Sequence, residues 1–182
     1  MKVETEIVNG VYETGKVHLT IGEDSVTKHF KPCSKYIKRY NIEKESLIRL
    51  GNISNIPNLI HSDDDTTTLV MSRLHGNTPT HLNEANLQEL IVIVQKMLDA
   101  GVARHALPLR DILVDTNNKV SLVDFERATL QGSFLRVDWL IAKKVSHYHL
   151  YRLTSQFQPQ LLTKKQAFKL NLVTQIRRIF KR

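Results

Sequence analysis

The chain has 182 residues, enough for one substantial core and too few for two independent domains. Lysine and arginine outnumber the acids to give a formal charge of +8, which predicts attraction to something anionic (phosphates, a membrane surface or nucleic acid) without choosing among them. The single cysteine, Cys33, excludes an intramolecular disulfide and suits a reducing compartment. Met1–Val11 carries acids and lacks the apolar run of a signal peptide. The longest apolar stretch, Leu87–Leu98, is interrupted by Gln88, Glu89, Gln95 and Lys96, which excludes a transmembrane helix. The expected location is cytoplasmic.

In chain order, Glu6–Tyr12, Lys16–Ile21 and Ser25–Phe30 are rich in β-branched and aromatic residues and are separated by Gly15 and by Gly22-Glu23-Asp24, a pattern of three short strands. Ile42–Leu50 has helical spacing, with Ile42, Leu47 and Leu50 on or near one face. Ile56-Pro57-Asn58-Leu59-Ile60 leads into a strand, Asp63-Asp64-Asp65 makes a solvated turn, and Thr67–Ser72 is the next strand, ended by His75-Gly76. A long helix is expected over Leu82–Ala100, with Asn83 as its cap, Leu87, Leu90, Ile91, Val94 and Leu98 in register, and Gly101 as its stop. Asp111–Asp115 and Lys119–Asp124 then pair as strands around the turn Asn117-Asn118. Ser133–Arg182 reads as helices broken at Gln158-Pro159. Strands first and helices second define an α+β protein.

The chemistry concentrates in Arg104-His105-Ala106-Leu107-Pro108-Leu109-Arg110-Asp111, followed by Val123-Asp124-Phe125-Glu126. The protein-kinase pattern is H-R-D-L-x-x-x-N, then a short turn and D-F-G. Leu107 falls on the motif leucine, Asp111 on the asparagine and Asp124-Phe125 on Asp-Phe, while Ala106 stands where the catalytic aspartate belongs. With the element order, this resembles the protein-kinase-like fold, nearest to its small bacterial branch of lipopolysaccharide-core and RIO-type kinases, over about residues 5–145. The resemblance implies one domain of two lobes: residues 1–74 as a small sheet-rich N-lobe, and 75–182 as a reduced helical C-lobe ending in a basic helix.

The resemblance also implies roles. Val26-Thr27-Lys28 is similar to the V-A-I-K strand, so Lys28 would meet the α- and β-phosphates of ATP. Glu43 opens an E-x-x-x-L-x-x-L pattern with Leu47 and Leu50 and would hold that lysine, with Glu45 as a competitor. Leu69–Gly76, with Met71, is similar to the hinge that takes up the adenine edge. Gly10 and Gly15 lie where a phosphate-covering loop should be but do not form G-x-G-x-x-G. Asp124 would bind Mg²⁺ bridging the phosphates, and Glu126 replaces the usual glycine after Phe125. Asp111 would be the second metal ligand or, on its own chemistry, the cap of a turn. Asp138 resembles the helix aspartate that braces the catalytic loop.

Alanine at position 106 can neither accept a proton nor orient a hydroxyl, and shifting the alignment by one residue places Leu107 there instead. His105 is the candidate catalytic base, or else a structural support of the loop. The expectation is a nucleotide-binding pseudokinase or regulator. The alternative is an active bacterial ATP-dependent phosphotransferase on a sugar or lipopolysaccharide-core acceptor.

The tail, Lys164–Arg182, sets Lys164, Lys165, Lys169, Arg177, Arg178, Lys181 and Arg182 among Phe168, Leu172, Ile176, Ile179 and Phe180. A basic amphipathic helix fits peripheral attachment to the inner membrane face, a lipopolysaccharide precursor or a protein partner; it also fits simple packing on the domain. Nucleic acid is the weaker option, because few aromatics interleave with the charges and no binding motif is present.

Overall fold

A computed structural model describes residues 9–132 and 137–179. The expected strand start at Glu6 and the last residues of the basic tail lie outside them. Five antiparallel strands form the first part: β1 (Val11–Glu13), β2 (Val17–Ile21), β3 (Ser25–Phe30), β4 (Leu59–Asp63) and β5 (Thr68–Ser72), in the spatial order β1-β2-β3-β5-β4. In β3, period-two alternation turns Lys28 and Phe30 to the buried face, and Lys28 lies opposite Leu69 of β5. A lysine in the middle of a central strand is thereby forced into the core.

Helix α1 (Tyr36–Leu50) covers that face. Tyr40, Glu43, Leu47 and Leu50 make one buried stripe at helical spacing, with Glu43 its charged member. The helix starts six residues before the expected Ile42, because Tyr40, at 1% exposure, anchors an additional inward turn. Tyr40 stacks edge-on against Phe30, their centroids 5.8 Å apart. Reading the aliphatics alone misses that aromatic contribution.

The chain leaves β5 through Leu74–Gly76 and enters the second part at Asn77, which exchanges backbone hydrogen bonds with Val114. Gly76 has φ 131°, and a Cβ there would lie 2.8 Å from the carbonyl of Val114, so this crossing requires glycine. Helix α2 (Glu84–Asp99) opens on a reciprocal capping box between Asn83 and Asn86 and buries Leu87, Leu90, Ile93, Val94, Met97 and Leu98.

Two short strand pairs then build the loop region: β6 (Val102–Arg104) with β9 (Ala128–Leu130), and β7 (Ile112–Val114) with β8 (Val120–Leu122). The β7–β8 hairpin matches the sequence expectation. The β6–β9 pair joins segments 26 residues apart, each only three residues long, and no local pattern marks it. Helices α3 (Val137–Phe157) and α4 (Lys164–Ile179) complete the described chain, with a break at the 3-10 turn Pro159–Leu161. Among the described residues no helix is long and apolar enough to cross a membrane.

Asn55 fastens the two parts together. Its side-chain amide nitrogen donates to the Val120 carbonyl at 2.6 Å and to Glu89 Oε1 at 2.8 Å, and its backbone carbonyl accepts from the Leu122 amide. Glu89 Oε2 accepts from the Val120 amide at 2.7 Å. These bonds seat β8, the strand that delivers Asp124, against the linker after α1.

Candidate nucleotide and metal site

Lys28 lies at the centre of a charge cluster. Its Nζ is 2.6 Å from Glu43 Oε2, 3.0 Å from Asp124 Oδ1 and 3.3 Å from Glu126 Oε2. Three separate elements supply these groups: the inner face of β3, the buried stripe of α1, and the turn after β8. Asp124 adopts φ 66°, in the left-handed region that Asp tolerates better than most residues. Glu126 is also gripped by Arg39, whose Nη2 lies 2.6 Å from its Oε2, and the Phe125 amide points at Glu43 Oε1 at 3.5 Å. Phe125 itself is buried.

Burial opposes the charge on the Lys28 ammonium, but Glu43, Asp124 and Glu126 outweigh it and hold the lysine protonated well above its usual range. Burial pushes the Glu43 carboxyl up to about 7 against the pull of Lys28, and the neighbouring acids push the same way. For Asp124, burial is overcome by Lys28 and Arg104, and its carboxyl falls below the usual range. Unlike Glu43, whose side chain is 2% exposed, Asp124 keeps 40% exposure. It is the member of the cluster best presented to a ligand.

Asp111 is placed differently. It ends a 3-10 turn (Leu109–Asp111), is buried, and is ion-paired and hydrogen-bonded to Arg104. Burial raises its pKa, with Asp124 adding to the rise and Arg104 opposing it. Arg104, in the place of the motif histidine, also donates to the Val123 carbonyl at 2.8 Å and lies over the Phe125 ring at 5.3 Å. It therefore links β6, Asp111 and the Asp124 segment.

A brace on this loop comes from a residue the sequence reading did not single out. Ser146 of α3 accepts from the Arg104 amide at 2.9 Å and donates to the Arg104 carbonyl at 2.7 Å, both in the core. Asp138 is in the exposed first turn of α3, where its carboxylate accepts from the Trp139 amide. A serine at helical spacing between Trp139, Ala142 and Leu150 was the available signal.

The other expected residues take these positions. His105 and Ala106 are exposed, and His105 Nε2 is hydrogen-bonded to Thr129 Oγ1 at 2.5 Å, away from the Lys28 cluster. Met71 is 7% exposed in β5, paired with Val26 and Leu59. Glu45 pairs with Arg49 of its own helix at 2.8 Å, leaving Glu43 on Lys28. Gly10, at φ 76°, turns the chain before β1, where its carbonyl accepts from the Ile21 amide.

Carboxylate oxygens of Glu43, Asp124 and Glu126 lie within 4.8 Å of one another, a hard-oxygen donor set of the kind magnesium takes. Lys28 already neutralises part of that charge. Asp124 and Glu126 are the less buried pair of that set and would hold a cation from its open side, whereas Asp111 would have to release Arg104 to join them.

No family model and no curated protein matches the sequence. Among solved structures, the chain is similar to WbdD co-crystallised with the kinase inhibitor LY294002, with a TM-score of 0.58 and 15% identity over 85% of this chain and 41% of that one. It is also similar to a second crystal structure of WbdD, with a TM-score of 0.58 and 14% identity over 93% of this chain and 52% of that one. The chain thus spans about half the length of the structures it matches. The fold is kinase-like.

Proposed function

We propose that this is a nucleotide-binding pseudokinase or regulator, taking ATP with magnesium in the cleft between its sheet and its helical part. The observation that carries this reading is the Lys28–Glu43 pair, buried at 2.6 Å with Asp124 beside it, next to a loop that carries alanine at position 106. In this reading Lys28 turns its ammonium to the α- and β-phosphates, and Glu43 fixes its direction. Asp124 is the first magnesium ligand, helped by Glu126, with Asp111 as the further candidate. Magnesium, when bound, neutralises phosphate charge. The strand around Met71 and the backbone of Leu74–Gly76 border the adenine site. Ala106 leaves no carboxylate to accept a proton from an acceptor hydroxyl.

A second reading, a weak phosphotransferase on a sugar or lipopolysaccharide-core hydroxyl, is favoured by the retained cluster and by His105, exposed next to Ala106. Phosphoryl transfer depends largely on positioning and electrostatics, so loss of the base slows it without abolishing it.

Calorimetric titration with ATP, with and without Mg²⁺, tests the first reading. Magnesium-dependent binding that disappears in Asp124→Ala is the expected result, and no binding by the wild type refutes it. ADP release separates the two readings: background turnover in the wild type that rises by about 10²-fold or more in Ala106→Asp supports the pseudokinase. Measurable wild-type turnover lost in His105→Ala supports the phosphotransferase.

A further inference from the structure

The charge of this chain is distributed unevenly. Residues 139–182 contain ten Lys and Arg and no Asp or Glu, while the first 138 residues hold sixteen basic and all eighteen acidic residues. The net positive charge therefore comes from the segment that forms most of α3 and all of α4.

Within α4 the apolar residues divide between two faces. Leu170 is buried and faces the domain, whereas Phe168 is 68% exposed and Leu172 47% exposed. Lys165, Phe168, Lys169 and Leu172 follow i, i+3, i+4, i+7 spacing and make one outward stripe, with Lys164 at its margin. A helix that merely packs on a domain turns its largest apolar groups inward; this one turns a phenylalanine and a leucine out, among lysines. Among the described residues none of Lys164, Lys165 and Lys169 is in an ion pair, and Lys144 and Arg152 of α3 are exposed as well.

We infer that the outward face of α4 docks on an anionic lipid bilayer, with Phe168 and Leu172 entering the headgroup–acyl boundary and Lys164, Lys165 and Lys169 resting among the anionic headgroups. Two features select this occupant. The absence of any acid from residue 139 onward suits a surface of fixed negative sign, and the central apolar pair demands an apolar phase that a nucleic-acid backbone does not offer. The inference is independent of whether the cleft binds nucleotide.

Sedimentation of the full chain with phosphatidylcholine vesicles containing 30% phosphatidylglycerol, and with pure phosphatidylcholine vesicles, provides the test. Binding to the anionic vesicles is expected, weakening about fivefold for each lysine removed, so that Lys164→Gln/Lys165→Gln/Lys169→Gln loses about a hundredfold. Phe168→Ser/Leu172→Ser should lose at least about tenfold, with a thermal melt like the wild type because both side chains are already exposed. Failure of the wild type to sediment with anionic vesicles overturns the inference, as does equal binding to the neutral ones. Unchanged binding by the Phe168→Ser/Leu172→Ser variant also overturns it, since the face would then be a general polyanion site, nucleic acid included.

Discussion

Replacing Lys28 with methionine keeps most of the side-chain volume and removes the charge at the centre of the cluster. Lys28 is 5% exposed, and the Glu43 carboxylate it contacts at 2.6 Å is equally cut off from water. Asp124 has access to solvent and Glu126 has Arg39, so Glu43 suffers the full loss. Removing one partner of a buried pair costs about 3–5 kcal/mol, because the other charge stays behind unpaired. For a chain of this size that lowers Tm by roughly 6–20 °C. Removing both charges in Lys28→Met/Glu43→Leu should restore most of the stability, with a coupling of about 2–3 kcal/mol in a double-mutant cycle. The assay is urea unfolding of the wild type, both single variants and the double variant. A cost below about 1 kcal/mol for Lys28→Met, or single-variant costs that simply add, would show that the two charges do not depend on each other.

Three other outcomes are expected. Ser146→Ala removes both bonds to the Arg104 backbone and leaves a buried N–H and C=O without them, at about 2–4 kcal/mol by urea unfolding; a change below 1 kcal/mol would discount the brace. Gly76→Ala combines φ 131° with a Cβ 2.8 Å from the Val114 carbonyl, and should cost about 2 kcal/mol or more, seen as a Tm lowered by roughly 4–8 °C; an unchanged Tm would contradict the close crossing. Glu43 titrates near 7 folded against an ordinary value of 4.5, so the folded state holds its proton more tightly and its contribution falls as pH rises through that window, by at most about 1.4 kcal/mol per pH unit. Stability measured relative to Glu43→Gln should therefore decline between pH 5 and 7.5, and a constant difference would refute the shift. Asp124 has the opposite sign: its contribution is lost only as pH falls below the usual carboxylate range.

The sequence by itself determined the elements whose pattern is local. Alternation around Lys28, the Asn83 cap, most of the apolar stripe of α2 (the expected Ile91 is exposed, and Ile93 and Met97 are buried with the rest) and the Asn117-Asn118 turn each follow from residues within a few positions of one another. It also named Lys28, Glu43 and Asp124, through the resemblance of Val26-Thr27-Lys28, of Glu43 with Leu47 and Leu50, and of Asp124-Phe125 to the kinase motifs. Tertiary structure alone decided that they do meet, at 2.6 and 3.0 Å, since the sequence separations of 15 and 96 residues are closed by packing rather than by pattern. It also decided the grip of Arg104 on Asp111, the Ser146 brace and the Asn55 fastening, where short polar side chains satisfy buried backbone and charge. The outward face of α4 belongs with these: the spacing of its apolar residues permitted either orientation, and only the packing of Leu170 against the domain left Phe168 and Leu172 in solvent.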